Sequence, residues 1–460
     1  MIDNTNNQNG SVLVTILAVF LVISLLFGSV LLYGSWHKFE AEKALLDLKA
    51  SYLAEAGVNR AVWCLSGNDN KDIRWRVEDY HSQIDNTNQY HFRISNWGGY
   101  LAIESQGKSG AKTKKVKAII GQKPDKTYDN AINLGDPAYP LVVAGRNRII
   151  GDIKIGPAGI MPGRFEGEEF VGGSLVEGNV LVSKNLTPHG YSDKMIEEFK
   201  QTIKEKKENI DLVIDRTLIA DDKTKSDYFK NKNTRITGNL VFSSSQDKSF
   251  QGPGYIFCDG KIEITKNTKL YDGLVLIADK DIVLLDNCQL KDCLLYSKSE
   301  INIKDNVIFK SQAISDTSIV VEGHASTFYP TLLLVEGKRG EKSIEGSISI
   351  ESDNPVEGIL MYCGKEMESE SKLADNGIIM IKPNSSFCGI IYSTNYATIE
   401  GNVSGCVNTN KFYFEKPPTT YINWLNNALI DRTKLKKEMI LPLCVDGSSR
   451  LEILSYMQLN

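Results

Sequence analysis

The feature that most constrains this chain is an uncharged apolar run close to its N-terminus. Residues 4–37 contain no Asp, Glu, Lys or Arg, and residues 11–36 are mostly Val, Leu, Ile and Phe. Because about 20 apolar helical residues cross the hydrocarbon core of a bilayer, the run predicts one transmembrane helix. A cleaved secretory signal peptide is the competing interpretation. It fits less well, since the run is long, its leader (residues 1–10) has no Lys or Arg, and no small-x-small site follows.

The sequence after the apolar run predicts that the helix continues as an amphipathic stalk over residues 37–66. This segment has one Gly and no Pro, and it is rich in Ala, Leu, Glu and Lys. Gly67 fits a C-cap. Apolar residues three, four or seven positions apart predict one apolar helical stripe, which consists of Ala41, Leu45, Leu48, Tyr52, Ala56 and Trp63.

Two short motifs in this region carry a resemblance to a known family. A polar leader that ends at Gly10, followed by Ser11 and a hydrophobic helix, resembles a prepilin-type signal. The second motif resembles a stretch of type IV minor pilins of the PilX type, and it is also similar to the large minor pseudopilin of type II secretion systems. It comprises Leu53, Ala54, Glu55, Ala56, Gly57 and Val58. The resemblance covers residues 8–66.

The resemblance implies a processing step, a location and a set of partners. In this family a prepilin peptidase cuts after the residue equivalent to Gly10 and methylates the residue equivalent to Ser11. The resemblance also implies a single-pass protein of the cytoplasmic membrane, surrounded by lipid and by other pilin-like subunits, with its body outside the cytoplasm. The charges alone do not decide this orientation, because Lys38 and Lys43 are accompanied by Glu40 and Glu42.

The segment after the stalk, residues 67–135, reads as a small β region. Alternating runs at 90–95 and 100–105, separated by an Asn-Trp-Gly-Gly turn, and a third run at 114–120 predict a three-strand meander. Such a sheet would cover the stalk in a pilin-like head. The alternative is that these strands join the next domain.

An internal repeat occupies the centre of the chain. Four similar segments begin at Gly254, Gly273, Cys293 and Gln312, which are 19, 20 and 19 residues apart. The period recurs in longer form from Thr331, Ile359 and Ile390. Equivalent positions share a register: Ile262, Ile282, Ile301 and Ile319, and the pairs Lys266 and Asn267, Asp286 and Asn287, Asp305 and Asn306.

Repeats of this length with short β-rich runs predict a solenoid, because each repeat buries its apolar residues only against its neighbours. A leucine-rich type is the alternative, but no repeat has ten residues of helical periodicity. The prediction is a mainly β protein with a right-handed parallel β-helix over residues 136–415, whose first coils lie near 141–156 and 234–242. A charged helical insertion near 192–216 would begin at Ser192 as N-cap.

The C-terminal segment, residues 416–460, predicts a helix and a cap. Thr419 or Thr420 can begin a helix that reaches Met439, with Tyr421, Trp424, Leu425, Ala428 and Leu435 on its apolar face. Such a helix would cover the open edge of the last coil. A partner-binding helix is the alternative.

The pattern of acidic, histidine and cysteine residues favours a structural protein over an enzyme. Asp286 and Asp305 would stack about 5 Å apart on adjacent coils, as in polysaccharide-cleaving β-helix enzymes, but they also occupy turn positions. The five His residues have no metal-ligand spacing, and no nucleotide-binding loop is present. Eight scattered Cys suggest core packing, with a Cys288–Cys293 bridge as the alternative. We therefore expect no enzyme activity, metal or cofactor.

Three functions remain open from the sequence. The first is a structural minor pilin or pseudopilin-like subunit of a type IV pilus or type II secretion-like assembly, which displays its β-helix to a surface glycan or a protein. The second is a membrane-anchored β-helix enzyme that acts on polysaccharide, and the third is a membrane-tethered scaffold similar to bactofilins. A formal net charge of −4 gives no basic surface for nucleic acid.

Overall fold

The computed structural model describes residues 8–67, 79–184, 186, 191–339, 343–364, 374–435, 439–445, 447–448 and 450–459. These residues form two α-helices, α1 (Gln8–Gly67) and α2 (Lys194–Glu208), and are otherwise mainly β-structure. The predicted combination of a long N-terminal apolar helix with a mainly β body is confirmed.

The strands before α2 are mostly short, apart from three of the first four. They are β1 (Asp79–Gln83), β2 (Asn88–Trp97), β3 (Tyr100–Ser109), β4 (Lys112–Gln122), β5 (Ile132–Leu134), β6 (Leu141–Ala144), β7 (Arg148–Ile150), β8 (Ile153–Ile155), β9 (Ile160–Pro162), β10 (Arg164–Phe165), β11 (Glu168–Glu169) and β12 (Val180–Val182).

The strands after α2 contain the repeat. They are β13 (Leu212–Ile214), β14 (Leu218–Ala220), β15 (Asn233–Ile236), β16 (Leu240–Ser243), β17 (Lys248–Gln251), β18 (Gly254–Cys258), β19 (Ile262–Thr265), β20 (Thr268–Tyr271), β21 (Leu274–Ala278), β22 (Ile282–Leu284), β23 (Gln289–Ser297), β24 (Glu300–Ile303), β25 (Ile308–Ser315), β26 (Ser318–Gly323), β27 (Ser326–Thr327) and β28 (Leu332–Val335). The remainder are β29 (Lys338–Arg339), β30 (Ser343–Glu345), β31 (Ser347–Ser352), β32 (Val356–Tyr362), β33 (Ala374–Asp375), β34 (Ile378–Ile381), β35 (Ser386–Ile399), β36 (Asn402–Lys416), β37 (Thr419–Ile422), β38 (Trp424–Asn426), β39 (Leu429–Asp431) and β40 (Leu451–Leu459).

Helix α1 is one continuous element that joins the predicted span to the predicted stalk. It is long and apolar enough to cross a membrane, with a mean hydropathy of 2.8 in its most apolar window. All large apolar side chains of residues 12–36 are exposed, by 43% to 72%. A helix that is apolar on every side and unburied in its own chain suits a lipid environment.

The stalk buries a different stripe from the predicted one. The predicted residues Ala41, Leu45, Leu48, Tyr52, Ala56 and Trp63 are exposed. The buried stripe also follows helical spacing but consists mainly of small residues: Ala50, Ala54, Gly57, Val58, Ala61 and Leu65. The predicted stripe is not the one that docks, because hydrophobicity selected it, whereas close packing of a helix on a sheet favours small side chains at the contact.

The small sheet comprises β1, β2, β3, β4 and β40, all antiparallel and in that order. The predicted meander corresponds to β2, β3 and β4, whose register aligns Ile94, Ile103 and Ala118. Strand β40 adds the C-terminus of the chain to this sheet beside β4.

Most of the other strands are parallel and lie in a stack, in which each strand pairs with the equivalent strand of the next repeat. The predicted register of Ile262, Ile282, Ile301 and Ile319 is confirmed by the pairing of β19, β22, β24 and β26. Leu240 precedes this column, and Ile348 and Ile379 follow it. All seven side chains are fully buried. The column shows that neighbouring repeats build one continuous apolar core.

The order of repeats in the stack differs from the order in the chain. Ile132 of β5 pairs with Val407 of β36, and Ile153 of β8 pairs with both Ile132 and Val180 of β12. Residues 132–182 therefore extend the stack beyond its C-terminal repeat. The prediction that residues 141–156 form a first coil is wrong, because these residues lie at the opposite end of the stack. An apolar repeat needs a free parallel edge, and both ends of a stack offer one, so the order of repeats along the chain does not decide their order in the stack.

The predicted C-terminal helix is wrong. Residues 419–431 form β37, β38 and β39, followed by a short 3-10 turn at Arg432–Lys434. β38 pairs with β6, and β39 pairs with β36 and β7, so the segment continues the stack. Ladder partners from distant parts of the chain override the local helical pattern. Residues 132–182, rather than a helix, cover this end of the repeats.

The predicted helical insertion at 192–216 is a shorter helix, α2, in the structure. Its N-cap residue is Asp193 instead of the predicted Ser192. It lies along one flank of the stack, with Lys200 3.0 Å from Asp316 and Lys207 3.6 Å from Asp259. It also closes a second core between the stack and the small sheet, in which Phe199 meets Tyr296 edge-on at 5.9 Å. The chain thus returns along this flank between the two ends of the stack.

Candidate functional site

The first candidate site is the contact between α1 and the small sheet. A Cβ at Gly107 of β3 would overlap the carbonyl oxygen of Ala50 and the amide nitrogen of Ala54. A Cβ at Gly57 would overlap the hydroxyl of Ser105. The helix backbone thus lies directly on the sheet backbone, and only glycine permits this separation.

The pilin-like motif is positioned by this contact. Ala54, Gly57 and Val58 are buried against the sheet, Leu53 and Glu55 are half-buried, and Ala56 faces outward. The motif therefore packs the helix directly onto the sheet. Gly107 was missed by the sequence analysis, although a glycine inside a strand pattern is a signal of close backbone approach.

The outer face of the stalk is apolar and uncovered. Leu45 and Leu48 are each 50% exposed, Tyr52 is 60% exposed and Trp63 is 62% exposed. The guanidinium of Arg60 lies 4.2 Å from the ring centroid of Trp63. This face extends the exposed apolar surface of residues 12–36 beyond the span, along the same helix.

The predicted processing residues, Gly10 and Ser11, lie near the start of α1. Their side chains are outside the described set. The helical backbone continues unbroken from there into the apolar segment.

The stacked carboxylates Asp286 and Asp305 occupy turns. Both residues and the Asn that follows each have positive φ, between 43° and 64°. The amide of Asn267 donates to the carbonyl of Asp286 at 3.1 Å, and the amide of Asn287 donates to that of Asp305 at 3.3 Å. The Asp286 carboxylate accepts a hydrogen bond from the Thr265 hydroxyl at 2.7 Å. These contacts assign the pair to a turn ladder, where Asn and Asp tolerate left-handed backbone.

The cysteines and histidines of the described residues form no metal-binding group. Cys288 and Cys293 are free and buried, and the predicted alternative of a bridge between them is wrong. Burial raises the pKa of Cys288 to about 12, so that its thiol stays protonated and packs as a small apolar group. His81 and His91 stack with ring centroids 4.2 Å apart, and His189 lies outside the described residues.

Comparisons with known proteins give one similar structure of note. No family model matches the chain, and no curated protein matches it. Among solved structures, the competence-associated pilin ComZ from Thermus thermophilus is similar over 90% of this chain and 97% of that chain, with 11% sequence identity and a TM-score of 0.22.

Proposed function

We propose that this protein is a pilin-like structural subunit, anchored in the cytoplasmic membrane by residues 11–36, with its body outside the cytoplasm. The observation that carries the proposal is the architecture of α1. One unbroken helix exposes an apolar surface over its first part and docks a small-residue stripe onto a sheet over its last part. This continuity would transmit the orientation of the body to the membrane segment without a flexible linker.

The proposed partners of the helix are lipid and the helices of other pilin-like subunits. The uncovered residues Leu45, Leu48, Tyr52 and Trp63 support this role, since an apolar face next to the span is suited to burial against a neighbouring helix. A type IV pilus or a type II secretion-like assembly would provide such neighbours. Within this proposal the body is a right-handed parallel β-helix, which acts by packing and display instead of catalysis.

The mature N-terminus tests the proposal. We expect that mass spectrometry of the protein from a host with a prepilin peptidase will find a chain beginning at methylated Ser11, and that a host lacking the peptidase will retain the leader. Gly10→Val should block the cut, whereas the matched control Asn9→Ala should be processed normally.

An intact Met1 in the peptidase-containing host would overturn pilin-type processing. It would then favour the second candidate, a membrane-tethered scaffold that assembles end to end. One observation supports that candidate: Val180 and Val182 pair with the buried Ile153 and Ile155, yet they are 41% and 58% exposed at the open end of the stack. A parallel edge of this kind can accept another strand.

A further inference from the structure

A cleft lies between the small sheet and the stack, next to α2. It is formed by β2 and β3 of the sheet, by the C-terminal half of α2, and by β15 and β18 of the stack. The cavity volume is ≈ 410 Å³, and a second, much smaller pocket of ≈ 50 Å³ adjoins it at Glu104. Pockets of about 300–1000 Å³ accommodate small organic ligands.

Several polar side chains of this cleft have no hydrogen-bond or ion-pair partner among the described residues. Among the described residues, the side chains of Arg93, Ser95 and Glu104 make no hydrogen bond or ion pair, and the hydroxyl of Tyr255 makes none. On the flank of α2 that faces the stack, by contrast, Lys200 lies 3.0 Å from Asp316 and Lys207 lies 3.6 Å from Asp259. The cleft therefore presents donors and acceptors that the fold itself does not use.

One wall carries a buried acceptor that is not satisfied. The amide nitrogen Nδ2 of Asn96 donates to the carbonyl oxygen of Met195 at 2.9 Å. The oxygen Oδ1 of Asn96 is buried and accepts no hydrogen bond from the described part of the chain. Buried acceptors are normally paired, so a rotation of the Asn96 side chain that brings Oδ1 to the cleft surface would let it accept a hydrogen bond from a bound molecule.

The charges that line the cleft balance. Arg93 and Lys206 supply two positive charges, and Glu104 and Glu205 supply two negative charges. Burial raises the pKa of Tyr255, and the charge of Glu104 raises it to a smaller extent, whereas Arg93 lowers it. The hydroxyl of Tyr255 is therefore neutral at pH 7. A site without net charge gives no advantage to an anion or a cation.

One aromatic side chain, Tyr255, completes the site. The ring of Tyr255 lies 6.3 Å from that of Phe257 with an interplanar angle of 15°, and the ammonium of Lys206 lies 5.6 Å from the Tyr255 centroid. Tyr255 thus combines an apolar ring with a polar tip, a combination suited to ligands that are apolar on one face and hydroxyl-rich at the edge.

We propose that this cleft binds a neutral saccharide. Its unpaired amide, hydroxyl, guanidinium and carboxylate groups match a ligand with many hydroxyls, each of which donates and accepts, and the absence of net charge matches an uncharged one. The inference goes beyond the proposed function, because the cleft is formed by the body and is independent of whether α1 enters a filament.

The test uses the full chain in a detergent that has no sugar headgroup. An array of neutral, anionic and amino oligosaccharides identifies binders, and titration calorimetry with the best tetrasaccharide gives its Kd. We expect binding to a neutral oligomer that weakens at least tenfold in Tyr255→Phe and in Glu104→Gln. Lys204→Gln, an exposed position on α2 outside the cleft, should leave Kd unchanged.

Thermal unfolding separates loss of the site from loss of the fold, because all three variants should keep the parental Tm. Three results would overturn the proposal: no binding to any neutral oligosaccharide, preference for an anionic oligomer, or a Kd in both cleft variants that is unchanged from the parental protein. Binding of a peptide library that is lost in the same two variants would also overturn it, in favour of a peptide site. None of these results depends on how residue 10 is processed.

Discussion

The two parts of α1 have the same secondary structure and meet different surroundings. Over residues 12–36 the helix carries large apolar side chains on every side, all of them exposed. Over residues 50–65 it buries Ala50, Ala54, Gly57, Val58, Ala61 and Leu65 against the sheet and keeps its larger apolar side chains outside.

On α1, side-chain size identifies the face that packs on the small sheet better than hydrophobicity does. A lipid surface adapts to large side chains of any shape, whereas a sheet has a fixed backbone that the helix must approach. Gly57 and Gly107 permit that approach by removing the Cβ atoms that would overlap the other element. The large side chains left outside are then available to a second surface.

The largest effect is expected from a charge placed in the lipid-exposed part of α1. Ile23→Arg should disfavour membrane insertion by about 2.5–3.5 kcal/mol, because a cation in the centre of a span loses its hydration. Insertion can be measured by glycosylation mapping in microsomes. Leu48→Arg, on the exposed face of the stalk, is the matched control and should insert normally; equal defects in both variants would contradict the division of α1.

A smaller effect is expected from adding volume at the docked face. Gly107→Val should reduce the free energy of unfolding of the body by about 1–3 kcal/mol, since the new side chain overlaps the backbone at Ala50 and Ala54. Denaturant unfolding of the full chain in micelles measures it. Gly34→Val is the control, because a Cβ built there meets no atom within 4 Å apart from the adjacent residues and the backbone of its own helix. An unchanged stability of Gly107→Val would show that α1 does not dock as described.

The smallest effect is expected at the polar edge of the docked part. Asp47 of α1 lies 2.9 Å from Lys114 of β4, with 42% and 38% of the two side chains exposed. Asp47→Asn should cost only about 0.2–1 kcal/mol, because water screens an exposed ion pair. A double-mutant cycle with Lys114→Met, measured at low and high salt, checks this. A coupling free energy that does not change with salt concentration would contradict an exposed ion pair.

Much of the stack was predictable because its repeats are local in sequence. The shared register of Ile262, Ile282, Ile301 and Ile319 and the paired turn residues each follow from a period that can be counted. By contrast, residues 419–431 carry apolar spacing that fits a helix and are nevertheless strands. The local pattern does not reveal that β6, β7 and β36 offer open edges there.

The cleft at Tyr255 was not predicted at all. Its walls come from β2, β3, α2 and the stack, which are separated by many residues in the chain. No short motif joins Arg93 to Tyr255, so nothing in the sequence indicates that they share a cleft.

Two features follow from local sequence alone: an apolar N-terminal helix long enough to span a membrane, and a repeat that must stack to bury its residues. Both follow from local spacing, which a linear chain records directly. The tertiary structure alone decided which face of the stalk docks, where residues 132–182 join the stack, and how β40 returns to the sheet beside β4. These outcomes depend on which edges and faces remain unpaired once the rest of the chain has folded, and that information is not local.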